Sequence, residues 1–201
     1  MTSDAYTVSK MLQSINAVMA PVATMPHATV SLKRTLDNGV MLDTSPQEIA
    51  LLDLQAKVKH AAQQVMAIKQ RGGDQDQWVA DKRQCGNDAF REGYFQQAAE
   101  LYVEALAGLD FGKTPEQRRA CELQSQVPLT CNLVSCLLMM EQWEKAKQVC
   151  GQALQLDPTC VRALSQRAKA LTRLARFEDA RYDEVSSLRR LGEALPDGAL
   201  S

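Results

Sequence analysis

The sequence has few aromatic residues, few histidines and almost no net charge. Of its 201 residues, 10 are aromatic and two are histidine, so a core built from the 45% of apolar residues must be mainly aliphatic. Its 23 Lys and Arg are balanced by 24 Asp and Glu. This balance argues against a bulk electrostatic attraction to nucleic acid or to an anionic membrane.

Residues for metal or covalent chemistry are also scarce. His27 and His60 lie in separate segments with no cysteine nearby, so neither a metal site nor a Cys–His nucleophile is expected. The segment 108–114 resembles a phosphate-binding loop, but its spacing is one residue short and it follows a predicted helix rather than a strand. We therefore expect no enzyme activity, no catalytic residue, no metal and no cofactor.

The sequence has no long apolar run. The longest uncharged stretch, 11–32, contains polar residues and two prolines, which a membrane-spanning helix accommodates poorly. Its N-terminus lacks the basic and apolar segments of a secretory signal. The six cysteines include no CxxC pair and suit a reducing interior. These features predict a cytoplasmic protein with no membrane partner and no nucleic-acid partner.

The N-terminal part has the periodicity of helices. Residues 1–45 are predicted to form an extension, with a helix at about 5–20 and then a linker whose Asp-Asn-Gly at 37–39 suits a hairpin turn. Residues 46–73 are predicted to form an amphipathic helix that begins with a Ser45/Glu48 capping box. Its apolar residues have heptad spacing, but too few heptads for an independent coiled coil, which favours one helix packed on the next domain.

All six cysteines and nine of the ten aromatic residues lie after residue 77, where the sequence repeats. Segments that begin at Val79, Val127 and Val161 align without gaps, and the last two are 34 residues apart. The recurrent residues are Gly86, Val134 and Ala168 at position eight, Phe95, Trp143 and Phe177 at position seventeen, and Ala98, Ala146 and Ala180 at position twenty. Small residues at the crossing of two helices and an aromatic residue at their turn indicate helical hairpins that must stack to bury their apolar faces.

This pattern resembles the tetratricopeptide repeat (TPR) over about 115 residues. The resemblance implies an all-α fold, a right-handed superhelical array of three helix-turn-helix repeats preceded by the N-terminal helical extension. The repeats are predicted at 79–112, 127–160 and 161–194, within a domain at 76–195 that has an insertion at 113–126. We expect the insertion to lengthen the first helix of the second repeat, with a kink at Pro128. An insertion at this place is similar to those of immunophilins and related co-chaperones.

The first helix of each repeat should line a concave groove with its positions two, five, six, nine and thirteen. The run from Arg83 to Phe90 is similar to the Lys/Arg-x-x-Gly-Asn-x-x-Phe/Tyr pattern of clamp-type co-chaperones. The resemblance implies a carboxylate clamp for the acidic C-terminal peptide of a heat-shock protein 90 or 70 chaperone, whose tail ends in Glu-Glu-Val-Asp. The candidate binding residues are Arg83, Asn87, Asn132, Arg162, Gln166, Lys169 and Arg173.

Within this set, Arg83, Asn87 and Asn132 would hold the terminal carboxylate, and Arg162 an acidic side chain. Gln166 departs from the family, which commonly has Arg or Lys there. The departure matters because a neutral amide cannot neutralise a carboxylate. Residues 161–176 carry five basic residues and no acidic one, which supports an anion-binding helix. The alternative is a solvated face whose arginines pair with Glu178, Asp179 or Asp183.

Two functions therefore stay open. The first is a co-chaperone or adaptor that binds a chaperone tail, with a possible second partner at the N-terminal helices or at the C-terminal face. The second is a structural TPR scaffold in a larger assembly, which is favoured by Gln166 and by the expected lack of a capping helix after the last repeat.

Overall fold

The computed structural model describes residues 7–19 and 30–194. The chain divides into two compact units, residues 1–66 and 67–201. Parts of three predictions lie outside the described residues: the ends of the helix at about 5–20, linker residues 20–29, and residue 195. The predicted domain boundaries at 45 and 73 stay a prediction.

The first unit contains a helix, a small hairpin and most of a long second helix. Its elements are α1 (Val8–Met19), β1 (Lys33–Thr35), β2 (Met41–Asp43) and α2 (Pro46–Gln70), which continues into the second unit. The two strands pair antiparallel with Arg34 opposite Leu42, and Gly39 in the turn has φ +80°. Such positive φ values suit glycine, which explains why Asp-Asn-Gly forms this turn.

Helix α2 starts at the predicted capping box. The Ser45 backbone N–H donates to Glu48 Oε2 at 2.8 Å, and the Glu48 N–H donates to Ser45 Oγ at 3.2 Å. The Ser45 N–H and the Ser45 hydroxyl, which donates to Glu48 Oε2 at 2.9 Å, hold the pKa of the Glu48 carboxyl below its ordinary value. Only the middle of the heptad stripe is buried, at Ala61 and Val65, whereas Leu51 is exposed.

The second unit is a stack of helical hairpins. Its helices are α3 (Gln75–Arg91), α4 (Phe95–Ala107), α5 (Pro115–Cys121), α6 (Val127–Met139), α7 (Trp143–Leu156), α8 (Val161–Arg173) and α9 (Phe177–Ala194), with a π-helical turn at Glu122–Gln126. The pairs α3–α4, α6–α7 and α8–α9 pack as hairpins, and α4–α6 and α7–α8 contacts join one hairpin to the next. The predicted all-α repeat fold is confirmed.

The repeat positions have the same structural roles in each hairpin. The position-twenty alanines are buried where the helices cross, and each position-seventeen aromatic residue begins the second helix. Position fifteen, in the turn, has a positive φ in all three repeats, at Gly93, Glu141 and Ala175. The three repeats therefore share one backbone turn. Only the first repeat has glycine there, the residue that adopts a positive φ without strain.

The insertion lengthens the first helix of the second repeat, since α5, the π-helical turn and α6 follow one another without a break. Thr114 caps α5 through a capping box with Gln117. The irregularity in this long helix is the π-helical turn at Glu122–Gln126, shortly before Pro128, and the predicted kink at Pro128 itself stays a prediction. Proline has no N–H to donate to the carbonyl of Gln124, four residues back, and its ring disfavours regular α-helix there.

The third repeat contains a buried ion pair. Arg167 of α8 donates from Nε and from its terminal nitrogen to the two carboxylate oxygens of Asp183 in α9, both at 2.7 Å. Asp183 is only 1% exposed. Its bond to Arg167 raises the pKa of that guanidinium above its ordinary value, so the guanidinium stays charged.

Helices α3 and α4 pack closely at Gly86. A Cβ at this residue would lie 2.8 Å from Cε1 of the buried Tyr102 ring. We expect Gly86→Ala to lower the free energy of unfolding by about 1–3 kcal/mol, because the ring has to move. Gly151 in α7 is the matched control, since a Cβ there meets nothing within 4 Å. Gly151→Ala should raise the free energy of unfolding by about 0.5–1 kcal/mol through helix propensity. Equal effects in urea denaturation would contradict the close packing at Gly86.

The ion pair of the third repeat generates a second stability prediction. Asp183→Asn leaves the Arg167 guanidinium without its counter-charge and should cost about 2–4 kcal/mol, somewhat less than a fully buried pair because Arg167 is partly exposed. Asp179→Asn breaks the exposed pair between Asp179 and Arg176 and should change stability by less than about 0.5 kcal/mol. A loss for Asp179→Asn as large as for Asp183→Asn would show that burial does not set the cost.

Candidate functional site

Helices α3, α4, α6 and α8 together line an open cavity of about 340 Å³. Its lining residues are Asn87, Phe90, Arg91, Tyr102, Asn132, Ser135 and Arg162. Among the described residues, the lining contains two arginines, two asparagines and no carboxylate, so the cavity offers hydrogen-bond donors and positive charge. Such a surface suits an anionic ligand.

Tyr102 fixes the orientation of the Asn87 amide. Its hydroxyl donates to Asn87 Oδ1 at 2.8 Å, and Asn132 Nδ2 lies 3.5 Å from the same oxygen. Because Oδ1 faces these two donors, Nδ2 of Asn87 points the other way and can donate to a ligand. Desolvation raises the pKa of Tyr102 above its ordinary value, so its hydroxyl remains protonated at neutral pH.

Arg162 is held by a chain of polar contacts. It donates to Ser135 Oγ at 3.2 Å, and Gln166 Nε2 donates to the same oxygen at 2.9 Å and to the Cys131 carbonyl at 3.0 Å. Gln166 is buried, and its Oε1 has no hydrogen-bond partner within the described part of the chain. Gln166 thus braces α8 against α6 and contacts Ser135, rather than lining the cavity itself.

The other three predicted residues lie elsewhere. Arg83 is one turn before Asn87 on α3 and lines a separate cavity of about 310 Å³ that also includes Asp76 and Asp110. Lys169 is exposed on α8. The Arg173 guanidinium lies 5.5 Å from the Trp143 ring centroid, in a cation–π contact. The structure therefore brings Asn87, Asn132 and Arg162 together, but not the whole predicted set.

Four lining residues were missed by the sequence analysis. Arg91 occupies position thirteen of the first repeat and Ser135 position nine of the second, so the groove positions themselves included both. Phe90 lies next to the groove positions, and its ring packs edge-on against Phe95 with centroids 5.3 Å apart. Tyr102 is on a second helix, which the groove positions did not cover.

The positive charge of the basic segment 161–176 is partly neutralised by ion pairs. Arg167 pairs with Asp183 and Arg176 with Asp179, two of the carboxylates that the solvated-face alternative named. Within residues 7–19 and 30–194, the other three cations, Arg162, Lys169 and Arg173, have no ion pair. The positive charge that remains on α8 therefore includes the arginine at the cavity.

Within residues 7–19 and 30–194, no helix is both long enough and apolar enough to cross a membrane. Over the same residues, no group of three or more His, Cys, Asp or Glu side chains is placed to hold a metal ion.

No family model matches the chain. Among curated proteins, it is 38% identical over 111 residues to human zinc finger CCCH domain-containing protein 7B, covering 55% of this chain and 11% of that protein. It is 34% identical over 102 residues to mouse DnaJ homolog subfamily C member 7, covering 51% and 19%. It is 27% identical over 109 residues to the Hsp70/Hsp90 co-chaperone cns1 of Schizosaccharomyces pombe, covering 54% and 28%. The chain thus spans only a tenth to a fifth of the length of the first two relatives.

Two solved TPR domains are also similar to this chain. The second TPR of Spaghetti (RPAP3), bound to the HSP90 peptide SRMEEVD, is 25% identical with a TM-score of 0.46, over 56% of this chain and 91% of that one. The Arabidopsis OM64 TPR domain is 21% identical with a TM-score of 0.49, over 60% and 88%. The fold assignment rests on the three stacked hairpins and their shared repeat positions. The predicted resemblance is confirmed: the second unit has the tetratricopeptide repeat fold and is similar in sequence to co-chaperones.

Proposed function

We propose that the chain is a non-enzymatic, cytoplasmic TPR adaptor of the co-chaperone type. Its cavity between α3, α4, α6 and α8 would bind the acidic C-terminal peptide of a heat-shock protein 90 or 70 chaperone. One observation carries the proposal: Asn87, Asn132 and Arg162 line a single cavity that contains no carboxylate. The names of two relatives of the chain support the proposal, since one is a DnaJ homolog and another an Hsp70/Hsp90 co-chaperone.

The cavity chemistry suits a peptide end with two carboxylates. Asn87 and Asn132 would donate to the terminal carboxylate, while Arg162 and Arg91 supply positive charge around it. Each charge-assisted hydrogen bond contributes about 1.5–3 kcal/mol before the costs of desolvation and ordering. Arg91 already pairs with Asp88 on its own helix, so Arg162 is the stronger candidate for an acidic side chain.

The remaining predicted residues receive secondary roles in this proposal. Arg83 and Lys169 would contact upstream parts of the peptide, because both are exposed on groove helices. Gln166 would act through Ser135, by keeping Arg162 in place. Arg173 would contribute charge while resting on Trp143.

The central test is a calorimetric titration with a short acidic peptide ending in Glu-Glu-Val-Asp. As a free acid it should bind, and as a C-terminal amide it should bind at least about tenfold more weakly, because one charge-assisted carboxylate contact is lost. Equal binding of the two peptides, or no binding of either, would contradict the proposal.

Variants separate the cavity from general positive charge. Asn87→Ala and Arg162→Ala should each weaken free-acid binding about tenfold or more. Arg176→Ala removes the same charge as Arg162→Ala but lies outside the cavity, so it should change the affinity less than about twofold. If Arg176→Ala weakens binding as much as Arg162→Ala, the peptide recognises bulk charge and not this cavity.

Tyr102→Phe tests the orientation of the Asn87 amide. This change keeps the ring against Gly86 but removes the donor to Asn87 Oδ1. We expect the affinity for the free-acid peptide to fall about fivefold, which corresponds to one neutral hydrogen bond. Wild-type affinity in Tyr102→Phe, measured by the same titration, would show that Tyr102 does not orient Asn87.

A second candidate function, a structural scaffold, is favoured by the surface of α9. Four of its apolar residues are strongly exposed: Phe177, Tyr182, Leu188 and Leu191. An apolar stripe on a terminal hairpin suits contact with another protein. Absence of peptide binding together with a stable, folded chain would favour this alternative.

A further inference from the structure

Two cysteines lie close together where α6 meets the start of α8. Sγ of Cys131, on α6, is 3.9 Å from Sγ of Cys160, the N-cap residue of α8. They are 29 residues apart in sequence. The contact therefore joins the first helix of the second repeat to the start of α8, and it does not belong to the cavity described above.

The two thiols differ in exposure and acidity. Cys131 is 1% exposed, whereas Cys160 is only half-buried. The hydrogen bond from Cys131 and the backbone N–H groups at the start of α8 hold the pKa of Cys160 below its ordinary value. The same bond and burial raise the pKa of Cys131. A half-buried cysteine with a lowered pKa beside a buried cysteine with a raised pKa is the arrangement in which one cysteine reacts first and the other resolves.

The other cysteines have no comparable setting. Burial raises the pKa of Cys136 to about 11 and that of Cys150 to about 12, so both remain thiols. Cys121 is half-buried, and desolvation raises its pKa as well. Cys85 is exposed on α3.

We propose that Cys131 and Cys160 are a peroxide-sensitive pair that forms a disulfide between α6 and the N-cap of α8. The Cys160 thiolate attacks one oxygen of hydrogen peroxide, the O–O bond breaks, and the leaving hydroxide takes a proton to become water. The Cys131 sulfur then attacks the resulting sulfenic acid, the S–O bond breaks, and the departing hydroxyl leaves as water with the Cys131 proton. Two thiols are oxidised and one peroxide is reduced to two waters.

The geometry allows this bond with a small movement. A disulfide needs the sulfurs about 2.05 Å apart, so they must approach by roughly 1.9 Å. Cys160 lies at the N-cap of α8 and has extended backbone angles, so its side chain can move without breaking the helix. The bond would then limit the separation of α6 and α8, to which Asn132 and Arg162 belong.

The test uses the full chain treated with a small excess of hydrogen peroxide. Non-reducing digestion and mass spectrometry should find a Cys131–Cys160 crosslink, two hydrogens lighter than the thiols and reversed by dithiothreitol. Fragmentation must place the link, because trypsin leaves Cys121, Cys131 and Cys136 in one peptide and Cys150 with Cys160 in another. Thermal denaturation of the oxidised chain should show a Tm about 5 °C higher or more, since the crosslink restricts the unfolded chain.

Two variants make the result decisive. Cys160→Ser should abolish the crosslink and the rise in Tm while it remains folded, because serine is a favourable N-cap residue. Cys85→Ser should keep both, since that thiol lies outside the pair. The proposal is overturned if peroxide leaves Cys160 a thiol, oxidises it without linking it to Cys131, or links it to another cysteine. This test is independent of peptide binding, so it can succeed or fail whatever the titration shows.

Discussion

The close approach of α3 and α4 at Gly86 is the contact on which the candidate site depends. Because Gly86 has no side chain, the Tyr102 ring packs directly against α3, and its hydroxyl reaches Asn87, the next residue along. The same small-residue position that allows the first hairpin to pack thus sets the direction of an amide in the groove. The Tyr102 ring therefore contributes both to the packing of the first hairpin and to the orientation of Asn87.

Charge acts locally in this chain. The whole sequence has a formal charge of −1, yet the cavity is lined by two arginines and no carboxylate. Carboxylates lie elsewhere, most clearly at Asp183, which is buried between α8 and α9 and accepts hydrogen bonds from Arg167. That pair holds the third repeat together and leaves Arg162, on the same helix, free to face the groove. Helix α8 therefore carries both an arginine in a buried ion pair and an arginine that lines the cavity.

Much of the fold could be predicted from sequence because repeats give the same physical signal several times. The coincidence of Ala98, Ala146 and Ala180 predicted the helix crossings, and the insertion predicted the longer first helix of the second repeat. The π-helical turn before Pro128 was not foreseen, since sequence shows where a regular helix is disfavoured but not how the backbone adapts.

The candidate site was predicted less completely. Groove positions identified Asn87, Asn132 and Arg162, because these lie on first helices at fixed spacing. The role of Tyr102 depends on a contact between helices, and that of Gln166 on a buried bond to the Cys131 carbonyl; neither has a local sequence signal. Side chains that act through another residue are found only once packing is known.

The most direct measurement of the central claim is an NMR titration of the side-chain amide groups. The Nδ2 resonances of Asn87 and Asn132 should shift together when the free-acid peptide is added and saturate at one stoichiometric equivalent. Exposed Gln148, on α7 outside the cavity, should not shift. Shifts confined to α9, or unchanged Asn87 and Asn132 amides at saturating peptide, would contradict the account.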